Sequence, residues 1–338
     1  MAAEAGLSRS TFAKLSPHPY LLANLEPSSD SAAPTRSNGR APFEVRKPTV
    51  NLSSLSHAHG SALVRTGDTT VICGIRGETI LTEHIPNYRA SNTQTELSDY
   101  DLLVPNIELA TGSAPQFLPG GPPTTLAQTL STRIYSLLHS SKLLRAEDLR
   151  IWHKRSAEPA IPIPGDEEEV MEEQDGEPYV AAYWVLYIDI FFISFDGNPF
   201  DAAWAATVAA LRDTKLPHAR YDPDREMILC SRKDPRPLTV GSIPIACTAV
   251  IFTGNETKDQ APDGKFWLLA DPDTLEESLC NETVTIVVDC AGGSRRILSI
   301  SKHGGTAMTA KLLGSKDFLD WASKRWEDFA LAITGTRL

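Results

Sequence analysis

The longest apolar pattern in the chain runs from Ala181 to Phe195, rich in aromatic and β-branched residues with only Asp189 charged, and it predicts a long β-strand. Asp196-Gly197 then turns the chain. Asn198 is placed to cap a helix, Pro199 to fill its first position without losing a hydrogen bond, and Asp201 to sit in its first turn. The helix is expected from Pro199 to Asp213. Joints of this kind often bring phosphate to a helix N-terminus. Here Pro199 removes one donor and Phe200 stands where a cation would be wanted, so the joint has the form of a functional position that has been filled in.

Upstream, residues 1–40 read as an arm: a short helix from Ser10 to Leu25, interrupted at Ser16-Pro17-His18-Pro19, then a Ser/Pro/Ala-rich tether from Pro27 to Gly39. Residues 41–338 read as a single domain with an N-terminal half of about 41–240 and a C-terminal half of about 241–338. A strand starts at Val50, and Ser61–Val64 with Thr70–Ile75 form a hairpin around Thr66-Gly67-Asp68. Ile80 to Asp99 is polar and aperiodic, hence a loop, and strand character resumes over Tyr100–Glu108.

After Gly121-Pro122-Pro123, the positions Leu126, Leu130, Ile134, Leu137 and Leu138 recur at helical spacing on one face. Leu149–His153 is a short strand. Further strands are expected at Met227–Cys230, Ile243–Phe252, Phe266–Ala270, Thr283–Asp289 and Arg295–Ser301, the last two joined at Ala291-Gly292-Gly293-Ser294. A closing helix from Ser315 to Ile333 puts Phe318, Ala322, Trp326, Phe329 and Ile333 on one stripe. Strands and helices mix without strict alternation, so the class is α+β, with mixed sheets packed against helices.

The 338 residues suffice for one large or two modest domains, and the net charge of -11 argues against a protein that coats nucleic acid by bulk electrostatics. Much of that charge is local. The insert 156–178 holds eight carboxylates between Asp166 and Glu177 and no base; without them the formal charge is -3, which leaves room for a basic path elsewhere. Its composition predicts a surface loop with no core of its own. The five cysteines, Cys73, Cys230, Cys247, Cys280 and Cys290, are scattered, with no Cys-x-x-Cys pair, which fits reduced thiols, no structural zinc and no cofactor. No segment approaches the roughly 20 apolar residues of a membrane span, so a soluble protein that is not secreted and has no membrane partner is expected.

The segment His59-Gly60-Ser61-Ala62-Leu63-Val64-Arg65-Thr66-Gly67-Asp68 through Ile75 resembles the opening signature of the RNase PH family, and Asn38-Gly39-Arg40 resembles the tail of the motif that precedes it there. Val104–Leu109, Asp196–Ala203, Leu269–Glu277 and Thr285–Asp289 are similar to the non-catalytic RNase PH-like ring subunits of the eukaryotic RNA exosome. The resemblance covers about 38–333. It implies the RNase PH-like fold (ribosomal S5 domain 2-like) and a six-membered ring of RNase PH-like exosome subunits capped by S1/KH proteins. It also implies RNA threading the central channel, and work in the nucleus, nucleolus and cytoplasm.

Active members of that family hold phosphate with a Gly-Gly-Thr-Arg segment, which falls here on Gly197-Asn198-Pro199-Phe200, so Asn198, Pro199 and Phe200 form a degenerate phosphate site. The family's acidic cluster is expected just before the strand near Ile243, where Lys233-Asp234-Pro235-Arg236 offers a single acid. Its basic residues before the helix after Gly121 are missing from Ala110–Gly120. A phosphorolytic site must neutralise two phosphates, and losing one preorganised donor commonly costs about 10²–10³ in rate. No catalytic residue is therefore assigned, and the chain reads as a structural subunit supporting 3'-5' RNA processing and degradation. The alternatives are an active phosphate-dependent 3' exoribonuclease with relocated groups and a stand-alone RNA-binding module.

Arg76 and Arg89 are the candidates for RNA contact, set against the reading of solvated surface arginines. His57 and His59 would share one face of a strand but have no third metal ligand nearby, so strand histidines without metal are favoured. Lys302-His303-Gly304-Gly305-Thr306 lacks Walker spacing and reads as a glycine turn. Asp222, Asp224 and Arg225 read as a solvated turn, Ser61 as a strand residue, Trp326 as core, and Trp321 as either core or a base-stacking platform.

Overall fold

The computed structural model describes residues 8–27, 33–93, 95–119, 121–154, 177–254, 266–305 and 307–335. The acidic stretch Asp166–Glu177 lies outside them except for Glu177.

Three sheets follow one another along the chain. The first holds β1 (Pro48–Leu52), β2 (Gly60–Thr66), β3 (Thr69–Leu81), β4 (Leu103–Leu109), β5 (Arg150–Lys154) and β6 (Pro178–Ser194). A two-stranded ribbon follows, β7 (Lys215–Asp222) with β8 (Met227–Pro237). The last sheet is β9 (Ile245–Thr253), β10 (Phe266–Ala270), β11 (Glu282–Asp289) and β12 (Arg296–His303), in the order β10-β9-β11-β12 with every pair antiparallel. The helices are α1 (Arg9–Leu15), α2 (Pro17–Leu25), α3 (Glu96–Asp99), α4 (Thr125–Ser140), α5 (Pro199–Asp213), α6 (Thr274–Leu279), α7 (Ala310–Leu313) and α8 (Lys316–Thr334).

The long strand foreseen at Ala181 is β6, which organises the first sheet. One edge pairs with β3 from Ala182 to Ser194, and the other takes β5 at its start and β4, in parallel, further on. Residues 181–186 are buried on both faces, and alternation sets in after them: Ile188, Ile190 and Phe192 are buried, while Asp189, Phe191 and Ile193 face out. The buried face packs on α5, which is buried on every side from Pro199 to Leu211, as a helix apolar around most of its circumference must be. Alanines at positions 202, 203, 205, 206, 209 and 210 keep α5 thin enough to lie between the first sheet and β9. Gly60 marks the closest approach, since a Cβ there would sit 2.5 Å from the Thr214 Cα. α8 covers β9 and β11, so one core runs through both sheets.

Several expectations change. The tether is anchored at its far end: Arg36 is buried, and Thr35 N–H donates to Asn24 O at 3.1 Å. The arm itself packs on the body, with Leu21 and Leu25 buried against Val250, Phe252 and Leu269. The loop expected from Ile80 to Asp99 contains the end of β3 and the short α3. Glu96 there is buried because Arg150 neutralises it at 2.7 Å and the Tyr183 hydroxyl donates to it at 2.6 Å. The strand β7 was hidden from pattern reading by its mixed Lys-Leu-Pro-His-Ala-Arg composition.

Candidate functional site

The joint between β6 and α5 is built on two left-handed residues. Gly197 has φ +72°, and a Cβ on it would lie 2.5 Å from the Asp273 carbonyl carbon. Asn198 follows with φ 49° and ψ 50°, a conformation that asparagine tolerates better than most residues. This corrects the expected cap: Asn198 makes no side-chain bond to the helix backbone. Its Nδ2 donates instead to Asp201 Oδ2 at 2.9 Å and Asp271 Oδ1 at 2.7 Å, because the left-handed turn aims it behind the helix. Its main-chain N–H donates to Glu277 Oε1 at 2.7 Å. Pro199 follows with no N–H to offer.

Behind the joint lies a buried ionic network. Arg46 donates Nε to Asp271 Oδ2 at 3.0 Å and Nη2 to Oδ1 at 2.8 Å, and its Nη1 reaches Asp196 O at 2.7 Å. Arg325 of α8 adds Nη1 to the Arg46 carbonyl at 2.5 Å and faces Asp271 Oδ2 at 3.6 Å. Arg36 pairs Nε with Glu276 Oε1 at 2.7 Å and caps Ala270 O at 2.6 Å. Arg40 bonds Asp271 O at 3.0 Å. Asp201 accepts the Thr248 N–H at 2.9 Å and its hydroxyl at 2.6 Å, tying α5 to β9.

Burial alone would push the Asp271 carboxyl up, but Arg325, Arg46 and Asn198 together hold it well below the usual carboxylate range. Glu277 goes the other way. Burial raises it to about 7, against the pull of the Asn198 N–H and Arg46. Burial likewise raises Asp201, with Thr248, Arg325 and Asn198 opposing.

In front of the joint is a cleft of about 720 Å³ between α4, Phe200 and the β11–β12 face. Serine and threonine hydroxyls dominate its lining: Thr129, Thr132 and Ser136 on α4, and Thr285, Ser299 and Ser301 on the sheet. Arg133 is the cation there. Its guanidinium stacks 3.8 Å from the Phe200 ring centroid, and burial lowers its pKa. No carboxylate is among the lining residues.

The carboxylates that gather at the joint come from Asp271–Glu277, after β10, rather than from the stretch before Ile243. Asp234 sits exposed on β8. Asp271, after β10, and Glu276 and Glu277 of α6 are the acids brought back to α5. Pattern reading also missed Arg36, Arg46, Arg325 and Arg133, whereas Arg40 stood in the Asn38-Gly39-Arg40 motif. The one local signal was Asp273-x-x-Glu276, which forms a capping box for α6.

Arg76 lies on the outer face of β3, paired with Glu78 at 3.3 Å and 5.5 Å from the Tyr187 ring centroid. Arg89 is exposed, its main chain pinned by the Tyr100 hydroxyl, which accepts from its N–H and donates to its carbonyl, both at 3.1 Å. His57 lies in a turn and not on a strand, so it shares no strand face with His59, whose Nδ1 accepts the Gly77 N–H at 2.9 Å. Ser61 Oγ accepts the Leu55 N–H at 2.8 Å. Lys302 closes its own glycine turn onto Gly305 O at 2.9 Å and Glu282 Oε1 at 3.0 Å; Thr306 lies outside the described residues. Asp222 and Asp224 belong to the β7–β8 turn. Trp326 is core, its Nε1 donating to Ile243 O at 2.7 Å, and Trp321 is buried beside Phe318.

Residues 44–217 match the model of the 3' exoribonuclease family, domain 1, and residues 242–314 match domain 2 of the same family. The chain belongs to the RNase PH family. Its fold is accordingly the α+β RNase PH-like fold, whose two halves meet across α5. Among family relatives, the exosome complex component rrp43 of Schizosaccharomyces pombe is 32% identical over 305 residues, covering 90% of this chain and 91% of that protein. The exosome complex component Rrp42 of Methanothermobacter thermautotrophicus is 28% identical, covering 81% of each. Among solved structures, a chain of the Archaeoglobus fulgidus exosome with RNA bound to the active site aligns with a TM-score of 0.62 at 24% identity, covering 92% of this chain and 97% of that one. This last likeness concerns the fold.

Proposed function

We propose that the chain is a non-catalytic ring subunit of an RNA exosome. In this role it assembles with other RNase PH-like subunits under S1/KH caps and supports 3'-5' RNA processing and degradation in the nucleus, nucleolus and cytoplasm. One observation carries the reading: the start of α5, where this family's active members hold phosphate, is closed by the chain itself. Glu277 takes the Asn198 N–H, Pro199 has none, and Phe200 lies under Arg133. Glu277 already occupies the N–H that a phosphate would use, and the remaining arginines behind the joint are committed to Asp271 and Glu276. The likeness to the rrp43 exosome component across nine-tenths of the chain supports the assembly. Arg76 and Arg89 remain candidates for contact with RNA passing the ring.

Co-purification of the tagged chain from cells, with identification of the bound proteins, tests this. The expected result is a stoichiometric set of RNase PH-like and S1/KH subunits. A well-behaved monomer with none of them would contradict it.

A further inference from the structure

The β7–β8 ribbon carries a run of cations that the fold does not use. Lys215 and Arg220 on β7, and Arg232, Lys233 and Arg236 on β8, are all exposed, and none has an ion-pair partner among the described residues. Arg36, Arg46, Arg76, Arg150, Arg295, Arg296 and Arg325 face carboxylates, whereas Arg89, Arg145 and Arg212 are, like the ribbon cations, exposed without an ion pair among the described residues. The ribbon is set apart by gathering five such cations on one short hairpin.

Its geometry sharpens the point. Leu216 pairs with Arg236 and His218 with Ser231, so Pro217 alone stands opposite Arg232–Pro235. The surplus residues bulge outward at the root of the ribbon, where Lys233 N–H turns back to Ser231 Oγ at 3.4 Å. The field of Arg232 reaches the first sheet: after burial, it is the cause that lowers the His59 pKa. Among the described residues, the carboxylates near the root of the ribbon, Asp234 on it excepted, are hydrogen-bonded or ion-paired within the fold. Asp213 accepts from Ser53 and Ser61, and Glu78 pairs with Arg76. Asp234 sits in the bulge itself, and Asp222, Asp224 and Glu226 lie at the far tip.

From the Leu216–Arg236 pair to the Arg220–Leu229 pair is about 13 Å along β7, at roughly 3.3 Å per residue. The cations are thus spread along the length of the ribbon, on both of its strands, and are not gathered in a pocket. The root of the ribbon exposes no large apolar side chain, while Trp152 and Tyr179 are exposed on β5 and β6, the former strand packing against β7. Cations beside exposed aromatic rings suit a single-stranded nucleic acid, whose bases can stack on such rings. Unpaired cations spread over such a length match a backbone of regularly repeated negative charge.

We infer that the root of the β7–β8 ribbon, through Lys215, Arg220, Arg232, Lys233 and Arg236, binds the phosphate backbone of single-stranded RNA. This rests on the exosome reading for its RNA, but the surface is separate from the joint and its cleft. Contacts of this type hold RNA without reading sequence and weaken steeply with salt.

The test uses the complex assembled with the chain's RNase PH-like partners and a labelled, unstructured single-stranded RNA titrated at several salt concentrations. The combined variant Arg232→Gln, Lys233→Gln, Arg236→Gln should assemble normally, bind about tenfold more weakly at low salt, and lose about 0.7 of the log–log salt slope for each contact removed. The charge-keeping variant Arg232→Lys, Lys233→Arg, Arg236→Lys should bind as the unaltered complex does. Unchanged affinity and slope in an intact Gln-variant complex would overturn the inference. So would loss of a protein subunit from the Gln variant, which would make the ribbon a protein interface. Failure of the unaltered chain to assemble would instead strike the exosome reading.

Discussion

Glu277 Oε1 accepts the main-chain N–H of Asn198 at 2.7 Å, so a carboxylate of the chain itself holds the start of α5. Burial raises this carboxyl from its ordinary 4.5 to about 7, which means that folding disfavours its ionisation. Its contribution to stability is complete below the unfolded-state value and is lost as pH rises through about 7. Asp271, held below the usual range, behaves in the opposite way: its stabilisation is present above the ordinary carboxylate pKa and is lost only in strong acid. Urea unfolding followed from about pH 5 to about pH 8 should therefore show the Glu277 contribution falling with pH. Glu277→Gln should flatten that dependence, and an unchanged slope in the variant would remove Glu277 from the account.

Arg46 is the hub of the network, bonded to Asp271, to Asp196 O and to Pro272 O. Arg46→Met leaves Asp271 charged, buried and short of a partner, which costs about 3–5 kcal/mol. Arg295→Ala removes an ion pair of similar length, 2.9 Å to Asp320, but both side chains are well exposed, and the expected loss is under about 1 kcal/mol. Denaturant midpoints for the two variants check the ordering; equal losses would mean that the buried network contributes no more than a surface pair.

What could be read before folding, and what could not, follows from range. The β6 alternation, the α4 stripe and the Pro199 start of α5 are local patterns, and each has its element where the spacing puts it. The network is not local. Arg36 meets Glu276 across 240 residues and Arg46 meets Asp271 across 225, and no period or spacing links such pairs. Polar composition hid this anchoring, because Arg36 lies just past a stretch of serine, proline and alanine that signals a tether. The joint was legible by residue type at Pro199 and Phe200. The carboxylate that fills it, Glu277, enters from α6, between β10 and β11.

Gly197 and Gly292 both have positive φ, near +70°, yet their surroundings differ. A Cβ at Gly197 meets the Asp273 main chain at 2.5 Å, whereas nothing lies within 4 Å of one at Gly292. Gly292→Ala should cost about 1–2 kcal/mol, the penalty of the left-handed conformation alone. Gly197→Ala should cost clearly more, because main chain has to move, and it should also lower the yield of folded protein. Thermal melts of the pair decide the matter; equal shifts would show that the joint accommodates a side chain.

The most direct measurement for the central claim is phosphorolysis. Purified chain is incubated with labelled single-stranded RNA bearing a free 3' end, with and without inorganic phosphate, and nucleoside diphosphates are quantified. With Glu277 on the Asn198 N–H and Phe200 under Arg133, no phosphate-dependent release is predicted. Release that requires phosphate and disappears when Arg133 is changed to Ala would contradict the account, and would make the cleft a working active site.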